Sequence, residues 1–104
     1  MRVLRIGYQE EDVEFVNITG DLESFQKLVG GYIEPCAPLE LQMEGIELLA
    51  NEVGLLKHLP YNENMSPFFF VGDLVAVGVG GEEFISLTPD QCDFLTQWLG
   101  YLGD

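Results

Sequence analysis

Apolar positions along the chain fall into two rhythms. In RVLRIGY, residues 2–8, Val3, Leu4, Ile6 and Tyr8 predict a first strand, with Arg2 and Arg5 on one of its faces. Beyond QEED, Val13, Phe15, Val16 and Ile18 predict a second. Glu10, Glu11 and Asp12 between them fit the tip of an antiparallel hairpin. The rhythm then changes. In TGDLESFQKLVGG, Leu22, Phe25, Leu28 and Val29 share one face at helical spacing. Asp21 is placed to cap the helix by accepting from a free backbone N–H, and Gly30 to end it in the left-handed conformation.

YIEPC reads as a short strand that Pro35 confines to an edge or an end. In LELQMEGIELLANEV, Leu39, Leu41 and Met43 alternate with Glu40, Gln42 and Glu44, which predicts a hairpin turning at Glu44–Gly45 and returning as IELLA. FFFVGDLVAVGV is the most apolar run and predicts a central strand bent at Gly72. In SLTPDQCDFLTQWLGYLG, Thr88 as N-cap, Pro89 at the first helical position and Gln91 form a capping box. Asp90 and Asp93 complement the positive end of that helix, and Cys92, Leu95, Trp98, Leu99 and Leu102 form its core face. The expected fold is one α+β domain over residues 1–104, a mainly antiparallel sheet of about five strands packed by two helices.

Composition narrows the class. With 104 residues, 47% of them hydrophobic and 21% charged, the chain has the balance of a globular domain with one core. No apolar run approaches the roughly 18–20 residues of a membrane span. The basic start of MRVLRIGYQEED turns acidic before a signal-like apolar segment develops, so a cytoplasmic protein is expected. Eighteen acids against four bases give a net charge of −14, which repels phosphate polymers and anionic lipid. Direct nucleic-acid binding is therefore not expected. A partner with a basic surface is, because complementary fields speed encounter; the rival account of the charge is solubility alone.

Reaction chemistry is thin. Cys36 and Cys92 lie 56 positions apart without a CxxC or Cys/His spacing, so neither a disulfide framework nor zinc is expected, and both thiols read as buried and inert. His58 is the only histidine, and no nucleophile signature surrounds Ser24, Ser66, Ser86 or either cysteine. Glu10–Glu11 and Glu82–Glu83 read as solvated turn charges, and GVGGEE lacks the lysine and hydroxyl of a phosphate-binding loop. No catalytic group, metal or cofactor is expected.

One polar stretch stands apart: NEVGLLKHLPYN, residues 51–62, which sets Lys57 beside His58 among breakers. Read as a crossover, it has Asn51 and Asn62 satisfying turn backbones, Gly54 at positive φ and Pro60 stopping a turn. Read as a site, it has Asn51, Glu52, Lys57 and Asn62 converging beside Gly30 and Gly31 to hold a small anion or nucleotide; a third reading makes it a protein-contact loop.

LVGGYIE at 28–34, NEVGLLKHLPYN at 51–62 and GEEFISLTPDQ at 81–91 together resemble the family catalogued as domain of unknown function 3846, over roughly residues 1–95. The resemblance implies a setting of bacteriophages, plasmids and the bacteria that carry them, and no assigned chemistry. It marks Gly30, Gly31, Asn51, Glu52, Gly54, Lys57, Pro60 and Asn62 as pattern positions, from which His58 and Tyr61 depart.

The leading expectation is a small, acidic, non-enzymatic binding protein of a mobile element. It would occupy a basic surface on a host nucleic-acid-handling or defence protein. Glu40 and Glu44, with Glu47 on the return strand, are the candidate contacts: residues two apart on a strand face lie about 6.6–6.8 Å apart and would present a spaced anionic row. The alternative is a binder or sequestering protein for a nucleotide-like molecule, using the 51–62 loop. A small enzyme is the third and weakest class.

Overall fold

LVAVGVG, Leu74–Gly80, has apolar side chains on both faces, so a strand made of it must be covered on both. The computed structural model, which describes residues 1–103, places this strand, β5, at the centre of a six-stranded sheet. Five consecutive residues, Leu74 to Gly78, are buried. One edge of β5 pairs with β4 (Ile46–Asn51), with Ile46 opposite Gly78 and Leu49 opposite Val75. Its other edge pairs first with β1 (Arg2–Ile6), Leu4 opposite Ala76, and further along with β6 (Glu83–Ile85). The Leu87 N–H donates to the Arg2 carbonyl at 2.9 Å where the chain leaves β6 and passes the start of β1. β2 (Val13–Asn17) and β3 (Ile33–Pro35) form the outer edges, and every pairing is antiparallel.

The two faces have separate cores. On one, α1 (Leu22–Val29) lays Phe25 and Val29 against Val3, Leu49, Val75 and Val77. On the other, Leu4, Ile6, Ile46, Leu48, Leu74 and Ala76 meet Leu41 of the short helix α2 (Leu39–Gln42), Met65, and Leu95 of α3 (Pro89–Gly103). Cys92, Trp98 and Leu99 pack around the same core. The caps are those the sequence predicts. Asp21 accepts from Ser24 N at 3.0 Å, and Gly30 ends α1 at φ 78°. At α3 the box is reciprocal: Gln91 Oε1 accepts from Thr88 N at 2.9 Å, and Thr88 Oγ1 from Gln91 N at 3.1 Å. Among the described residues, no helix is long and apolar enough to cross a membrane.

The expected α+β antiparallel architecture is present, with one more strand and one more helix. Three local expectations change. Residues 39–42 form α2 rather than a strand, because the N–H groups of Leu41 and Gln42 turn back to the Pro38 carbonyl. Only Leu41 is buried; Leu39 and Met43 are exposed. The apolar run breaks at Gly72, φ 74°, whose N–H donates to Pro60 O, so Phe68–Phe70 precede the strand instead of extending it. Arg2 and Arg5, three positions apart on β1, lie on opposite faces. Arg2 stands 5.5 Å over the Phe15 ring, while Arg5 bonds Asp12 and Glu14 across the hairpin.

Candidate functional site: the loops around the β4 exit

Where β4 leaves the sheet, two asparagines hold the connecting chain. Asn51 is buried; its amide donates to Val29 O at 3.2 Å and its Oδ1 accepts from Val53 N at 3.0 Å. Asn62, fully buried, donates to Ile6 O at 3.1 Å and Gly72 O at 2.9 Å and accepts from Asn64 N at 3.1 Å. Buried amides of this kind have their capacity consumed by the backbone and offer little to a ligand. Between them the chain winds through tight turns: Lys57 N to Val53 O at 2.9 Å, His58 N to Leu55 O at 3.2 Å, Leu59 N to Gly54 O at 3.0 Å.

Glycine serves space here more than φ. A Cβ on Gly31 would stand 2.8 Å from the Asn51 amide nitrogen, so only glycine lets that amide reach under the end of α1. Gly54 does not have positive φ, contrary to the crossover reading; a Cβ there would meet a Val71 methyl at 2.9 Å. The left-handed residue of the loop is His58, φ 55°.

The predicted ligand site is thereby divided. Gly30, Gly31 and Lys57 do line one hollow, of about 500 Å³, with Glu23, Lys27 and Tyr32. Two of the chain's four bases thus face the same space, and Lys27 also lies 3.8 Å from Glu23. Asn51 sits beneath Gly31 with its amide committed inward. Glu52 borders a different cleft, and Asn62 belongs to neither, held against the Ile6 and Gly72 carbonyls. The glutamates expected as a row are also separated. Glu40 is exposed on α2 and Glu44 in the turn after it, and the helical turn removes the two-residue strand spacing. The Glu47 carboxylate on β4 turns inward, accepting from Ala37 N at 3.0 Å and Leu48 N at 2.9 Å.

The second cleft, of about 510 Å³, was not foreseen from the sequence. Half-buried Cys36, Ala50, Phe70 and Val71 form its floor, exposed Leu55, Leu56 and Phe69 its walls, and Glu34 and Glu52 its charged margin. Phe69 is braced: its ring centroid lies 5.7 Å from that of Tyr61, whose hydroxyl donates to Phe68 O at 3.2 Å. Tyr61 and Val71 bridge antiparallel, which brings the two walls together. A pair of leucines in a glycine- and proline-flanked loop was the available signal.

Burial, reinforced by the nearby Glu47 and Glu34 carboxylates, pushes the Cys36 thiol up to about 12. At neutral pH it is protonated and a poor nucleophile. Among the described residues, no group of three or more His, Cys, Asp or Glu side chains is arranged to hold a metal ion.

The features together define an α+β domain of helices on both faces of an antiparallel sheet, strongly acidic and carrying an apolar cleft. The chain belongs to the family described as Domain of unknown function (DUF3846), whose model matches residues 1–100. No curated protein and no solved structure matches it.

Proposed function

We propose that this chain is a small non-enzymatic binding protein of mobile-element origin, working in the cytoplasm of a bacterial host. It occupies a basic surface of a host protein that handles nucleic acid or serves in defence. One observation carries the reading: 18 acids against four bases, with part of that small positive complement already engaged. Arg5 is paired with Asp12 and Glu14, and Lys27 lies beside Glu23. The resulting field favours a positively charged protein face and disfavours nucleic acid and anionic membrane as direct partners. The test is the association rate with candidate host proteins as salt rises. The Debye length falls from about 30 Å at 0.01 M to about 8 Å at 0.15 M, so association should slow markedly. A specific partner whose association rate ignores salt would overturn the reading.

The alternative, a binder of a nucleotide-like molecule, is favoured by one feature: Lys27 and Lys57 face the same hollow beside Gly30 and Gly31. Native mass spectrometry of the chain mixed with nucleotides tests it, with a retained nucleotide as the supporting result.

A further inference from the structure

We propose that the cleft between Leu55–Leu56 and Phe69 is where the partner docks, by inserting an aromatic or aliphatic side chain whose neighbours in its own chain are lysine or arginine. The inference rests on the binding-protein reading above and specifies its site. Leu55, Leu56 and Phe69 are 65%, 81% and 69% exposed, and they face one space from two separate segments. Single exposed apolar residues are ordinary on protein surfaces; several lining one concavity mark an interaction site.

The walls are also held in place before any partner arrives. Asn51 ties the start of the loop to α1, and Tyr61 braces Phe69 by ring contact and through its bond to Phe68 O. Ordering the walls in advance lowers the entropy cost of binding. The volume of about 510 Å³ accommodates one large anchoring side chain with its flanks, the usual form of an interface hot spot.

Charge selects the occupant. Among the described residues, every charged side chain lining the cleft is acidic, Glu34 and Glu52; Lys57 faces the other hollow. An apolar anchor flanked by bases satisfies both the walls and the margin. A second copy of this chain carries the same net charge of −14 over its whole length and would be repelled.

The test is selection of random twelve-residue displayed peptides on the intact chain, then anisotropy titration of the best binder. Peptides joining an aromatic or aliphatic residue to lysine or arginine are expected. Leu56→Ser and Phe69→Ala should each weaken binding by about tenfold or more. The pair Glu34→Lys with Glu52→Lys should weaken it and flatten its salt dependence. Tyr101→Ser, at an exposed aromatic on α3, should leave it unchanged. Thermal melts of each variant separate lost contact from lost fold. Basic peptides whose binding ignores Leu56→Ser and Phe69→Ala would overturn the cleft while leaving the basic-partner reading standing. Peptides without lysine or arginine would overturn the charge-selected occupant. A dimer dissolved by Leu56→Ser, or a metabolite retained in native spectra and released by Phe69→Ala, would overturn the proposal in favour of those occupants.

Discussion

The side-chain amide of Asn62 donates to the carbonyl of Ile6 at 3.1 Å, which joins the loop preceding β5 to the end of β1. The same nitrogen donates to Gly72 O at 2.9 Å, and Oδ1 caps the 3₁₀ turn Glu63–Met65 through Asn64 N. A polar side chain at zero exposure is stable there only because each capacity is matched. Asn62→Ala should cost about 1–3 kcal/mol for each buried carbonyl it strands. Asn62→Asp should cost more, since it sets a carboxylate against two carbonyl oxygens. Urea melts of both variants check the order.

Gly54 makes a different kind of prediction. Its backbone is ordinary, but a Cβ would lie 2.9 Å from a Val71 methyl and 3.3 Å from Asn51 O. Gly54→Ala should therefore destabilise by overpacking, about 1–3 kcal/mol. Shrinking the obstacle should recover part of the loss, so Gly54→Ala with Val71→Ala should be less harmful than the sum of the singles. Additive costs in a double-mutant cycle would show that the crowding is not shared.

At the start of α3, Gln91 does more than complete a capping box. Its Nε2 donates to Glu44 O at 3.0 Å and Gly45 O at 3.1 Å, fixing the turn between α2 and β4. Thr88→Ala should cost about 0.5–2 kcal/mol as an ordinary lost cap. Gln91→Ala also loses the two bonds to Glu44 O and Gly45 O, so it should exceed Thr88→Ala by about 0.5–1.5 kcal/mol for each. Leu95→Ala, in the core, should cost about 2–5 kcal/mol. Denaturant midpoints should rank the variants in that order.

The thiol of Cys36 sets a pH dependence on the alkaline side. Its folded value, about 12, lies above the roughly 8.5 of an unfolded cysteine. A raised value means that the folded state favours the protonated thiol. That contribution to stability is complete below about 8.5 and is lost as pH climbs towards about 12. In a Cys92→Ser background, Cys36 should alkylate far more slowly at pH 8 in the folded chain than in urea. Equal rates would place the thiol in open solvent.

The elements readable from sequence were those whose evidence is local. Asp21 with Gly30, and Thr88 with Pro89 and Gln91, mark helix ends through bonds spanning three or four residues, and the apolar spacing between them completes the assignment. Residues 39–43 misled because a four-residue helical turn is too short to show its own period, and Leu39, Leu41 and Met43 match strand alternation equally well. The grouping of Gly30, Gly31 and Lys57 was legible, but the direction of the asparagine amides was not. An amide serves backbone or ligand alike, and only the Val29, Ile6 and Gly72 carbonyls decide which. The apolar cleft was hidden for a topological reason: Leu56 and Phe69 come from separate segments and line one space only in the folded chain, where Tyr61 bridges Val71.

Lys57 separates the two functional readings. It is exposed on the loop turn and lines the hollow shared with Lys27 and Gly31, outside the apolar cleft. Its charge contributes little to folding, so Lys57→Ala should leave the melting temperature nearly unchanged, within the about 0.5 kcal/mol typical of surface substitutions. Peptides that dock between Leu56 and Phe69 should bind this variant within about twofold of the parent, because the charges that select them are Glu34 and Glu52. If the hollow instead holds a nucleotide, Lys57→Ala removes one of its two cations, and retention of that nucleotide in native mass spectra should fall. Measured on one preparation, the pair of readouts assigns the loop. Loss of nucleotide with peptide binding intact makes the Lys57 hollow a second site, whereas loss of peptide binding contradicts the position assigned to the partner.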